Sequence, residues 1–413
     1  MELHREKANV RAAFGRGAVQ ANGRPMSAPT VESKALFEHA PPIALQRHVG
    51  LIKPDQFNIG SRALLVLLIG WMPIVVLTLA AAVVQGTDGI VSLLRETGVH
   101  ARYLVAAPLL ILAERQCASH LTAIVRRFSE SGLVREPDRA RLRDAVESTR
   151  ARIDCAVAEV SVVVIAYLIV AASVWSHPAD AIPAWHKASA GYFSPAGWWH
   201  VLVSLPLLLT LILGWMWRLV LWAQLLWRIS RLDLQLVASH PDHAAGLGFV
   251  GHSLRAFSFV AFALTAIAAG RSAHIVLEGG GLPTSQLLFN AGLLATIAIL
   301  FTAPLAVFLP VLLKTWRQGV AEYGALARDV GDAFERRWLR GKTPASEGLE
   351  KPDFSATTDL YGVVSNVYAL RFVPVDITSL TALVVAMLLP FAPVVLLAIP
   401  PDAILSGFRK LLF

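Results

Sequence analysis

Three groups of residues in this 413-residue chain can do chemistry, and each lies in or beside a long apolar run. Glu114 and Arg115 interrupt the run that starts at Tyr103. An ionisable side chain at mid-bilayer costs about 3 kcal/mol on the lenient insertion scale, so it marks an ion path, a proton relay or a buried pair. The blander reading is a pair that locks this helix to a neighbour. Adjacent residues diverge by about 100° on a helix, so Glu114 and Arg115 cannot both face one pore. His240-Pro241-Asp242-His243, with His252 beyond, offers metal-ligand residue types and proton acceptors. No zinc spacing is matched. Histidine titrates near pH ~6.5, which allows proton sensing. Against both stands a capped turn. In it Pro241 ends a helix, Asp242 caps the next, and Gly246 and Gly248 form a hinge.

The third group consists of isolated charges. Glu159 lies about one turn inside an apolar segment and suits a hydrogen-bonded packing carboxylate. Arg218 suits a gating or anion-binding charge, or a side chain snorkelling at the inner interface. Arg271, His274 and Glu278 share one helix face at spacings of three and four, as an outer mouth or a solvated rim.

These side chains need elements to hold them, and the clearest runs from Trp198 to Gly248. Trp198-Trp199 and Trp215/Trp217 bracket an apolar run that makes about 28 Å of helix at ~1.5 Å per residue. That length matches a hydrocarbon core with aromatic belts. Beyond it, Gln224, Arg228, Arg231 and Gln235 alternate with Leu225, Leu226, Ile229, Leu232 and Leu236, which predicts an amphipathic helix leaving the membrane.

Composition agrees. With 55% hydrophobic and 16% charged residues, the chain is too apolar for an ordinary soluble domain. The net charge of +8 does not signify nucleic acid, because the basic residues flank the apolar runs. Cys117 and Cys155 make neither a disulfide framework nor a metal motif. Phosphate loops and hydrolase or metalloprotease motifs are absent. No catalytic residue, metal or cofactor is expected.

The predicted fold is all-α, a polytopic membrane bundle. About seven segments can span, near 63–85, 103–125, 155–175, 199–217, 255–277, 287–313 and 376–399. Lys and Arg crowd the tail to Arg62 and the loops 126–152, 228–255 and 314–371, and are sparse in the alternate loops. The positive-inside rule then places the N-terminus in the cytoplasm. It also requires 103–125 to cross, taking Glu114 into the bilayer.

Residues 1–60 read as a basic, largely disordered tail with a short surface segment near Phe37–Leu51, and 401–413 as a short tail. Between them, 61–400 forms the membrane domain, with cytoplasmic arms at about 126–154 and 314–372. Glu136-Pro137-Asp138 starts a helix with no breaker until Ser176, about 60 Å long. Leu312, Trp316, Val320 and Tyr323 begin a stripe that runs to Trp338, with kinks expected at Pro304, Pro310 or Gly319. A short helix covers 358–371. Apolar stripes on such arms must pack on each other or on another subunit, so a homo-oligomer is expected.

The segment His240-Pro241-Asp242-His243-Ala244-Ala245-Gly246-Leu247-Gly248-Phe249 resembles a group of bacterial multi-pass inner-membrane proteins of unassigned function. Their pattern is close to L-D-L-x-L-x-x-x-H-P-D-x-x-G-G-L-G-F. Ala106-Ala107-Pro108 to Glu114 and Phe372-Val373-Pro374-Val375-Asp376 are similar too. Ala245 stands where the pattern has glycine. The resemblance implies the architecture and the bacterial inner membrane, and no activity. The functional expectation is a channel or transporter for a small ion or solute with Glu114 on or near its path. The alternatives are a sensor or scaffold signalling through the arms, or a membrane-embedded metalloenzyme using His240 and His243.

Overall fold

In lipid the backbone must satisfy its own hydrogen bonds, so the apolar runs fold as helices. The computed structural model describes residues 59–86, 89–153, 155–176, 184–186, 193–279, 281–341 and 353–398. All of these belong to one unit, Ala35–Phe413. The second unit, Met1–Lys34, lies outside the described residues, as do the tail up to residue 58, the loop 342–352 and the tail 401–413.

Helices α1 (Ile59–Gly70) and α2 (Met72–Gln85) make the first column, with Pro73 in the first turn of α2, where its missing N–H costs nothing. Short helices α3 (Gly89–Arg95) and α4 (Thr97–His100) lead through a π turn, Ala101–Ala106, into α5 (Ala107–Glu130). Then come α6 (Arg139–Ile153) and α7 (Ala156–Ser176). Helix α8 (Pro195–Trp199) continues through a second π turn, His200–Ser204, into α9 (Leu205–Ser230). Helices α10 (Ser253–Leu277) and α11 (Thr284–Thr302) follow, and a 3-10 stretch, Ala303–Phe308, opens α12 (Leu309–Trp338). Helices α13 (Asp353–Tyr368), α14 (Ile377–Leu388) and α15 (Ala392–Ala398) close the described chain.

Six helical columns are long and apolar enough to cross a membrane: Ile59–Val84, Ala156–Ser176, Pro195–Ser230, Gly248–Leu277, Thr284–Trp338 and Ile377–Ala398. The protein is an all-α membrane protein of about that many spans. The column holding α5 is less apolar because it lies among the others. It packs on α1, α9 and α10, burying Leu110, Ile111, Glu114, Cys117 and Phe128. Helix α7 is the opposite case, with Val157 and Leu168 turned outward and Trp175 93% exposed, as a lipid-facing helix requires. At one end of the bundle Phe128 meets Phe249 edge-on at 4.9 Å and stacks with Phe308 at 6.4 Å.

Several expectations are corrected. The helix foreseen from 136 to 176 is two helices, with a 3-10 turn at Glu136–Asp138 and a break between Ile153 and Ala156. Both halves lie along α9, but α6 buries Leu142, Val146, Thr149 and Ile153 while α7 buries Glu159, Val162, Ala166 and Val170. The amphipathic helix foreseen through Leu236 ends at Ser230. Tertiary partners take the amides that a further turn would use. The Asp233 N–H donates to Asp138 Oδ2 at 3.0 Å, the Gln235 N–H donates to the Leu133 carbonyl at 2.8 Å, and Leu234 bridges Val134. Pro241 therefore ends no helix. Trp215 is not an interfacial anchor, since its indole is 3% exposed and donates to the Leu110 carbonyl at 3.0 Å. Helix α12 follows its stripe to Trp338. Of the foreseen kink sites, Pro304 lies in the 3-10 stretch, while Gly319 sits inside an unbroken helix. The short helix starts earlier than foreseen, at Asp353, and packs on α12 through Phe354 and Phe334, 4.8 Å apart.

Candidate functional site

Glu114 sits midway along the column from Thr97 to Glu130 and is 7% exposed. Arg62 on α1 donates from Nη1 to its Oε2 at 2.7 Å, and Arg218 on α9 donates from Nη2 to its Oε1 at 2.8 Å. The arginines are 8% and 4% exposed. The Arg218 guanidinium also lies 4.5 Å from the Trp215 ring. One carboxylate thus ties three helices with both oxygens used. Nearby, the Cys117 thiol donates to the Ala256 carbonyl at 3.1 Å and joins α5 to α10. Arg218 does not snorkel, which is a correction. Snorkelling keeps the charged head in water, whereas a buried carboxylate opposite offers it a partner. Arg115, one residue on, is exposed and takes no part. Arg62 was missed because it reads as the last charge of the basic tail, when it is in fact on the first helix.

About 16 residues further along α5, roughly 24 Å at 1.5 Å per residue, the bundle opens into a cleft of about 690 Å³. The His240-to-Gly248 loop forms one wall, Arg127 and Gly132 another, and Arg371, Val375 and Asp376 a third. The loop is built around Asp242. Its Oδ1 accepts the N–H groups of Ala244 at 2.9 Å and Gly246 at 3.1 Å, and its Oδ2 accepts that of Gly248 at 2.8 Å. His240 Nδ1 lies 2.8 Å from Oδ1. Burial pushes the Asp242 carboxyl up, but the three backbone donors and His240 outweigh it, so it is held below its ordinary range. To wrap the carboxylate, the backbone turns left-handed at His243 (φ 52°), Ala245 (φ 54°) and Gly246 (φ 93°). Only the last is a glycine, and such strain on other residues gathers at functional sites. The His243 carbonyl accepts the Arg371 N–H at 2.7 Å, fastening the loop to the segment after α13.

Asp376, at the cleft rim, caps α14 by accepting the Ser379 N–H at 3.0 Å and the hydroxyls of Ser379 and Thr378. Burial pushes its carboxyl up, but these donors together outweigh it and hold it at about 2. Both acids of the cleft are therefore occupied by their own loops. Arg127 lies over Phe249 at 5.1 Å, and Arg371 donates to the Val375 carbonyl at 3.1 Å. Neither meets a carboxylate among the described residues. His252 is exposed beside them, and His243 Nδ1 is buried with no hydrogen-bond partner among the described residues. The cleft thus presents the side chains of Arg127, Arg371 and His252 outward.

The other foreseen residues scatter. Glu159 is buried near the start of α7. Arg271 is exposed, while His274 turns inward, 3.5 Å from Glu96 Oε2 and 3.3 Å from Glu278 Oε1. His240, Asp242, His243, Gly246 and Gly248 all line the cleft. Among the described residues no group of three or more His, Cys, Asp or Glu is placed to hold a metal ion. Arg127 and Arg371 escaped the sequence reading because each is one of several basic residues in its loop. Comparison with protein-family models, curated proteins and solved structures finds no match.

Proposed function

We propose that this integral membrane protein is a channel or transporter for a small anionic solute, with the cleft at Asp242 as its cytoplasmic mouth. The single observation that carries the reading is the state of the charges in that cleft. Asp242 and Asp376 are consumed by backbone and hydroxyl donors, while Arg127 and Arg371 are left facing the opening. With both carboxylates ionised the four charges cancel, so an anion here is held locally by guanidinium N–H donors through charge-assisted hydrogen bonds, not by a net field. The positive-inside pattern supports a cytoplasmic N-terminus, and the resemblance stated above supports a bacterial inner membrane. In this reading Glu114 is a tie between helices rather than a solvated path residue.

Flux through the purified protein in liposomes tests it. Anion flux that falls several-fold in Arg127→Gln and Arg371→Gln, with unchanged melting temperature, supports it. Cation flux alone, or no flux from intact protein, overturns it.

A second reading has its own observation. Helix α12 exposes Leu326 in its second half, and α13 exposes Tyr361 and Tyr368. Apolar residues on such an arm suit a second copy of this chain, or a cytoplasmic partner of a sensor or scaffold. Native mass spectrometry in detergent reports the copy number, and a monomer alone removes the homo-oligomer.

A further inference from the structure

Both π turns come just before a proline inside a continuous helical column, Pro108 after Ala101–Ala106 and Pro206 after His200–Ser204. Proline cannot donate to the carbonyl four residues back and its ring crowds it, so a widened turn relieves the strain. Proline does not explain which side chains these turns carry. Tyr103, on the first, has no exposure, and its hydroxyl has no hydrogen-bond partner among the described residues. His200 and Ser204, on the second, are 6% and 0% exposed, with His200 Nε2 and the Ser204 hydroxyl unpartnered. Trp185 is 3% exposed, and its indole N–H is unpartnered too.

These groups are neighbours. The Tyr103 and His200 rings meet edge-on at 5.7 Å, and Trp185 meets His200 at 5.5 Å. Ser204 is four residues from His200, on the same face of the column. The Ser194 hydroxyl, which donates to the Trp185 carbonyl at 2.8 Å, fixes Trp185 to the start of α8. Polar atoms buried together without partners are rare in folded proteins, and each needs an explanation. At membrane depth, irregular backbone is kept where it lines a cavity or is buried in protein.

The histidine pair sets the polarity. His186 Nε2 lies 2.9 Å from His200 Nδ1. When His186 donates, His200 Nδ1 accepts and its proton sits on Nε2. All four unpartnered groups then donate at once. Burial, and then the charge of Arg102, push His186 down to about 4, so it stays neutral at pH 7. Arg102, next to Tyr103, is a fixed positive charge near this pair.

We infer that Tyr103, Trp185, His200 and Ser204 line a binding site for a small hydrogen-bond-accepting anion, at the end of the bundle opposite the cleft. Tyr103 and Arg127 are 24 positions apart on one column, roughly 36 Å, so the two sites are separate. The inference rests on these buried groups and does not need the transport reading. Within that reading it supplies a far-side station on the path.

The test is thermal unfolding of the purified protein in bromide against gluconate, a much larger anion. Bromide raises the melting temperature of the wild type, and Tyr103→Phe and Ser204→Ala lose most of that rise. Arg127→Gln keeps it, which separates this site from the cleft. If both hydroxyl variants melt higher than wild type in every salt, the groups are stored strain and the inference fails. Equal destabilisation in both salts means bound water alone and overturns it as well. Should the variants not fold, bromide anomalous density in wild-type crystals decides. A peak within hydrogen-bond reach of Tyr103 Oη and His200 Nε2 supports the site, and bromide found only elsewhere overturns it.

Discussion

Arg218 donates to Glu114 at 2.8 Å across 104 positions of sequence, and the two are 4% and 7% exposed. Neither residue can be changed alone without leaving a charge in a low-dielectric interior. Removing one member of a buried pair costs about 3–5 kcal/mol, mostly from the stranded partner.

Glu114→Gln takes the opposing charge from two buried guanidinium groups, Arg62 and Arg218, and should lower stability by about 3 kcal/mol or more. Arg62→Leu leaves the Glu114–Arg218 pair and should cost less. Arg115→Gln, on the exposed side, should stay within about 0.5 kcal/mol of wild type. Unfolding in detergent ranks the three, and equal effects from Glu114→Gln and Arg115→Gln would remove the triad from the account.

Gly251→Ala should pry the cleft apart. A Cβ at position 251 would lie 2.6 Å from the Asp376 backbone nitrogen and 2.9 Å from the Pro374 carbonyl oxygen, and backbone cannot step aside as a flexible side chain can. The segment before α14 must shift, so faster hydrogen exchange at Asp376–Ser379 than in wild type is the expected result.

Asp242→Asn keeps the shape of the side chain but offers one acceptor oxygen where three backbone N–H groups need two. The loop should lose about 1–3 kcal/mol through unsatisfied donors. Exchange at Ala244, Gly246 and Gly248 should rise first, and unchanged protection there would mean the carboxylate does not organise the loop. The Asp242 carboxyl titrates below its ordinary range, so its contribution is present above the unfolded pKa of 3.8 and is lost as pH falls.

The Asp376 cap has a defined window. Its carboxyl is held at about 2, against 3.8 when unfolded. The folded state therefore binds the proton less tightly. The stabilisation is complete above pH 4 and fades as pH falls from 3.8 towards about 2. Asp376→Ala should cost about 1 kcal/mol at neutral pH, as cap removal does. The difference between variant and wild type should shrink across that acid window. A difference that is constant with pH would contradict the cap.

Thiol labelling should distinguish the cysteines. Cys117 is 1% exposed and bonded to the Ala256 carbonyl, while Cys155 is half-buried at the start of the α7 column. One maleimide should add to the folded protein and a second only after unfolding. Labelling of the Cys155→Ser variant before unfolding would show that α5 and α10 part there.

The class of the protein was legible in its sequence. Apolar runs about as long as a bilayer is thick can fold in lipid only as self-bonded helices; the sequence offered about seven, and six helices of the structure are long and apolar enough. That Glu114 and the Asp242 loop depart from their surroundings was legible too, because a carboxylate in an apolar run and a Pro-Asp-Gly cluster both break a local pattern. The partners of Glu114 were not. Arg62 and Arg218 lie 52 and 104 positions away, and periodicity within one helix carries nothing about which neighbour faces it. The end of α9 was hidden for the same reason. Its helical pattern continues past Ser230, but Leu133 and Asp138 take the amides of Gln235 and Asp233, and a tertiary hydrogen bond outcompetes a local one. Tyr103, His200 and Ser204 read as ordinary members of apolar helices until the fold brought the Tyr103 and His200 rings to 5.7 Å. Only packing decides which polar atoms are left without water, because burial is a property of what surrounds a side chain and not of the chain that bears it.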